Sequence, residues 1–142
     1  MRFEDIRERL EPVGKDLLRV LIDPQRFQLF NCPVSLEVHS TGAITPEQAQ
    51  KADRVLEHFP RCIEGCEHLF EDDPTVKHIR QHNTVVDPSI VIPDQNMLEE
   101  NEGECDWFIV IRHPEHPDFA LDIEFQDLTA VCLLYTSDAA DE

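Results

Sequence analysis

The chain has 142 residues, room for one domain with one hydrophobic core and hardly for two. Thirty acidic residues against twelve basic ones give a net charge of −18. Such a surface repels phosphate backbones and anionic lipid heads, which argues against nucleic-acid and membrane-surface binding and favours encounter with a basic partner.

The first ten residues, MRFEDIRERL, carry six charges and do not read as a signal peptide. No run approaches the roughly 20 apolar residues that span a bilayer. Phe3, Ile6, Leu10, Val13, Leu17 and Val20 recur at steps of three and four, interrupted by Pro12 and Gly14. The spacing predicts a short helix over 3–10 and leaves the type of 15–22 open. Residues 27–30 form a short apolar stretch, broken by Asn31-Cys32-Pro33. Val34, Leu36 and Val38 alternate with Ser35, Glu37 and His39, the period-two pattern of a half-buried strand. Thr41-Gly42 then turns the chain.

The segment 45–70, TPEQAQKADRVLEHFPRCIEGCEHLF, organises the rest. Thr45 and Gln48 make a capping box, and Pro46 takes the first helical position, where its missing N–H costs nothing. Ala49, Ala52, Leu56, Phe59, Ile63, Cys66 and Phe70 then draw one apolar stripe, widened by Val55, Cys62 and Leu69. Phe59 and Ile63 lie at its middle and are expected in the core. Pro60 falls on the polar face without breaking the phase, so the spacing predicts a single kinked helix.

Asp73-Pro74 restarts a helix that runs to about His82. Residues 90–92 read as a strand, and PDQNMLEENEGECD as an acidic loop. Residues 107–111 are apolar throughout, as in a strand covered on both faces. After HPEHPD, Phe119, Leu121, Ile123 and Phe125 alternate with Ala120, Asp122, Glu124 and Gln126, which makes an antiparallel hairpin with 107–111.

Residues 132–142, CLLYTSDAADE, resemble the reading-frame translation of a transposase adapter used to prepare sequencing libraries. That resemblance implies a non-native tail, a single domain over 1–131 and missing native C-terminal residues, so the tail is expected to contribute nothing to the fold.

His78 and His82 are four apart on one helix face, and His113 and His116 flank the hairpin turn. With Asp122 or Glu124 they could serve a metal-dependent hydrolase. Yet no glutamate follows His78, as the zinc-protease helix requires, and surface histidines on a hydrophilic chain account for the pattern. The five cysteines are irregularly spaced, which points to reduced thiols and a cytoplasmic location. Cys62 and Cys66 lie on or beside the apolar stripe and read as small buried hydrophobes. Across 94–106, Asp94 and Asn96 fit the first ligand positions of a calcium loop, but Leu98 and Glu99 occupy the places of a ligand and the required glycine. No cofactor and no metal site is expected. What remains in that segment is an unpaired acidic set, Asp94, Glu99, Glu100, Glu102, Glu104 and Asp106, a candidate docking patch for a basic protein.

The ITPEQ start of the long helix, within VSLEVHSTGAITPEQAQKADRVLEHFP, and the later DFALDIEF strand resemble small acidic bacterial proteins of uncharacterised-domain families. Some of these are grouped with immunity proteins to polymorphic toxins. The resemblance implies a protein that neutralises a toxin partner, and it carries over no functional residue. The expected fold is α+β: a small antiparallel sheet, one long kinked amphipathic helix packed on a face, and short helices. The expected function is that of an acidic cytoplasmic protein-binding domain, with the hydrolase as its rival.

Overall fold

The computed structural model describes residues 1–40, 42–100 and 105–137, with side chains except at 116–119, 136 and 137. Thr41, Glu102, Glu104 and residues 138–142 lie outside the described residues. The chain opens with two 3-10 turns, Phe3–Asp5 and Arg7–Arg9. This replaces the expected helix over 3–10, since so short a segment is a marginal α-helix without further packing. The Phe3 backbone N–H donates to Asp53 Oδ1 at 2.6 Å, which ties the N-terminus to the long helix. β1 (Glu11–Pro12) follows, and the segment 15–22, whose type the sequence leaves open, is extended as β2 (Leu17–Leu21).

β3 (Gln28–Leu29) and β4 (Cys32–Pro33) form a separate two-stranded hairpin. Its turn residues Phe30 and Asn31 both have positive φ, 52° and 61°. That is the backbone twist a two-residue hairpin turn wants, at a steric cost to phenylalanine. Packing holds it there: the Phe30 ring lies 5.4 Å from that of Phe70, and the Arg80 guanidinium stands over both.

β5 (Ser35–His39) leads into α1 (Pro46–Glu64). The capping box forms, Thr45 Oγ1 accepting from the Gln48 N–H and Gln48 Oε1 from the Thr45 N–H, each at 3.1 Å. The same Gln48 is buried and donates to the carbonyls of His39 and Pro93, so the helix start is stitched to two strand ends. Pro60 is exposed, and the helix kinks at His58, whose φ and ψ of −109° and 15° are not helical. The helix ends at Glu64, short of Phe70, because Gly65 is a poor helix former. A separate turn, α2 (Glu67–Phe70), carries the stripe on. Phe59 is in the core, whereas Ile63 is only half-buried against it, a correction to its expected place.

α3 (Pro74–His82) has Asp73 as its N-cap and left-handed Asn83 at its end. β6 (Asp87–Ile92), α4 (Gln95–Glu100), β7 (Trp107–His113), β8 (His116–Gln126) and β9 (Thr129–Ser137) complete the chain. The fold is α+β. Among the described residues its main sheet has seven strands in the order β1-β2-β5-β6-β7-β8-β9 and is mixed, larger than the small antiparallel sheet expected. All pairings are antiparallel except β5–β6, the pair joined through α1–α3, since parallel neighbours need such a crossover.

For residues 132–137, β9 corrects the expectation that the tail contributes nothing to the fold; residues 138–142 lie outside the described residues. Residues 132–137 pair along β8, Leu133 packs against the core, and the Tyr135 hydroxyl hydrogen-bonds to the Asp73 carboxylate. An open strand edge templates any extended segment with suitable alternation, whatever codons supplied it.

Leu36, Val38, Ile90, Ile92, Ile109, Ile111, Leu121 and Ile123 turn toward α1–α3 and share one core with Ala52, Leu56, Phe59, Val76 and Ile79. Trp107 and Phe125 stack within it, centroids 4.0 Å apart. The alternate residues form the far face, where Arg19, Glu37, Val91, Phe108 and Glu124 lie side by side across β2, β5, β6, β7 and β8.

Candidate functional site

Two sets of carboxylates sit in opposite circumstances. The first is on the far face of the sheet. Glu37 is 1% exposed and takes a two-pronged bond from Arg112, at 2.7 and 3.1 Å, with Arg19 Nε 3.8 Å away. Arg19 in turn holds Asp87 at 2.9 Å. Because Arg112 lies on β7 and Glu37 on β5, the arginine stem crosses β6, where Ser89 and Val91 are buried. Burial alone would push the Glu37 carboxyl up. The bonds and charge of Arg112, helped by the Ser89 hydroxyl and the charge of Arg19, outweigh it and hold the group below the ordinary glutamate value. Sequence reasoning missed this cluster, since alternation alone reads Glu37 as a wet-face residue and only the strand register brings the arginines to it.

The second set is the acidic segment expected to dock a partner. Its first half is not a loop: residues 95–100 are α4. Asp94 is half-buried and accepts from the Met97 N–H at 2.9 Å, and that cap closes the turn. At the far end Asp106 is also half-buried. Its Oδ2 accepts from the Asp127 N–H at 2.7 Å and its carbonyl from Lys51 Nζ at 2.9 Å. These two acids anchor the segment and are not open to a partner in the way the sequence suggests. Glu99 and Glu100 are exposed and pair with no basic side chain among the described residues; Gln95 donates weakly to Glu99 at 3.4 Å. Glu102 and Glu104 lie outside the described residues.

Beside this rim run two adjoining grooves that share Glu47 and Lys51. One, of about 230 Å³, lies between the start of α1 and α4, with Gln48, Pro93 and Leu98 in its walls. The other, of about 240 Å³, is walled by Arg54, Trp107, Asp127 and Leu128. Asp127 sits in the β8–β9 turn at φ 51°. It is held by its carboxylate to Arg54 at 2.6 and 2.9 Å, by its carbonyl to Trp107 Nε1 at 2.5 Å, and by its N–H to Asp106. Hydrogen bonding raises the pKa of Arg54 and lowers that of Asp127. In their walls Lys51, Arg54, Trp107 and Asp127 are already engaged in hydrogen bonds.

The candidate hydrolase residues are spread apart. His78 and His82 are exposed on α3, against one side of the sheet, whereas Asp122 and Glu124 are on its far face. His113 Nδ1 accepts from the Glu115 N–H within the hairpin turn, and the side chain of His116 lies outside those described. Among the described residues no three or more histidine, cysteine or acidic side chains are grouped to hold a metal ion. The cysteines are free thiols. Burial pushes Cys62 up to about 11, Cys66 to about 12 and Cys105 to about 11, so these three are not poised as thiolate nucleophiles.

No protein-family model, curated protein or solved structure matches the chain. Among the described residues no helix is long and apolar enough to cross a membrane.

Proposed function

We propose that this chain is an acidic protein-binding domain that docks a basic protein through the acidic rim at α4. The observation that carries the reading is the division of labour within one acidic segment. Asp94 and Asp106 fix its ends by hydrogen bonds, and Glu99 and Glu100 stand exposed between them without a basic partner among the described residues. Carboxylates so placed repel one another and add nothing to the core, while they raise the encounter rate with a cation-rich surface. The net charge of −18 extends the same field over the molecule. The specific form we propose is immunity-type neutralisation of a basic toxin in the cytoplasm, where free cysteines such as these persist.

The test is reconstitution with the product of the neighbouring gene on an intact contig. Expected is a stoichiometric complex that abolishes that product's toxicity. A basic neighbour whose toxicity is unchanged by excess of this protein would contradict the immunity form.

A further inference from the structure

Two imidazoles four residues apart on a helix lie one turn above the other on the same side. On α3 the rings of His78 and His82 have their centroids 4.4 Å apart, and both residues are exposed. We propose that this pair is a two-histidine surface site for a divalent transition-metal ion. One nitrogen of each ring about 2.1 Å from a shared ion, at close to a right angle, places the centroids roughly 4.5 Å apart. The observed spacing therefore accommodates the ion by rotation of the two rings, with the backbone left where it is.

The helix that carries the pair is already ordered. The Asp73 carboxylate accepts from the Val76 N–H at 2.9 Å, Asn83 closes the last turn in the left-handed region, and Val76 and Ile79 are buried between these ends. Binding thus costs only the freedom of two side chains. Arg80, the cation between the histidines in sequence, is drawn to Glu67 at 2.6 Å and over the rings of Phe30 and Phe70. The negative field of the molecule raises the local concentration of cations. Imidazole suits copper, nickel and zinc, and the order of affinity puts Cu²⁺ first. With two protein ligands the remaining coordination positions stay open, so the ion exchanges freely and can accept a further donor from water or from a docked protein.

The experiment is calorimetric titration of the chelator-stripped full chain with Ni²⁺, which avoids the thiol chemistry of copper. Expected is one ion per chain, with affinity reduced roughly tenfold or more in His78→Gln and in His82→Gln separately, and unchanged in His58→Gln. Both substitutions are at exposed positions, so the metal-free melting temperatures should match the parent. Absence of Ni²⁺ binding to the parent chain, or binding that survives in both single variants, would overturn the proposal.

Discussion

Glu37 and Glu99 are the same residue in opposite situations. Glu37 lies inside the far face of the sheet, gripped by Arg112 and approached by Arg19; Glu99 stands in solvent on a six-residue helix. The first carboxylate belongs to the fold, because removing it takes from Arg112 the two bonds that draw it across the sheet. The second contributes only self-repulsion to the fold, which leaves it available to another molecule. An acidic sequence therefore holds two kinds of acid, told apart by what cations the topology brings to them.

The largest expected effect breaks the buried member. Glu37→Gln should lower the unfolding free energy by about 1–2 kcal/mol in urea denaturation, since it removes the buried charge that Arg112 grips while the partly exposed guanidinium keeps some of its hydration. A loss of a few tenths would place Glu37 with the solvated acids. Acid titration sharpens the same contrast. The folded Glu37 carboxyl is held below its ordinary value, so its contribution is complete above the unfolded-chain pKa of about 4.3 and is lost as pH falls through the lower folded value. The Glu37→Gln protein should accordingly lose less stability than the parent across that acid range.

The far face also explains how much could be read from the sequence. Local signals were legible: the Thr45–Gln48 capping box, the kink near Pro60, the cap and proline that open α3, and the alternation of β5 and β8. Each depends on residues within a turn or a strand. The Glu37 cluster was not, because Arg112 is 75 residues away and only the β5–β6 and β6–β7 pairings together put it in reach. α4 was hidden because its six residues carry no apolar period, and its cap is a single aspartate inside an acidic run. The strand character of 132–137 is masked by their resemblance to a translated adapter, although Leu133 and Tyr135 alternate as a strand should. Ile63 shared the helical phase of Phe59, yet phase does not say how wide the covering surface is.

A smaller effect tests the edge of the sheet. A chain ending at Val131 should melt several degrees lower than the full chain, since it loses the pairing of residues 132–137 with β8, the packing of Leu133 and the Tyr135–Asp73 hydrogen bond. An unchanged midpoint would mean that these residues only decorate the edge.

The smallest stability effect belongs to the rim. Replacing Glu99 and Glu100 by glutamine should change the unfolding free energy by less than about 0.5 kcal/mol, or raise it slightly as like charges are removed.

That near-silent variant is the instrument for the central claim. Stopped-flow association with the cognate basic partner, run at low and high salt, compares it directly with the parent chain. The account predicts slower association of the Glu99→Gln, Glu100→Gln protein at low salt, a weaker dependence on salt, and rates that converge at high salt where the charges are screened. Identical association rates for the two proteins at low salt would contradict it, and would move the docking surface away from α4.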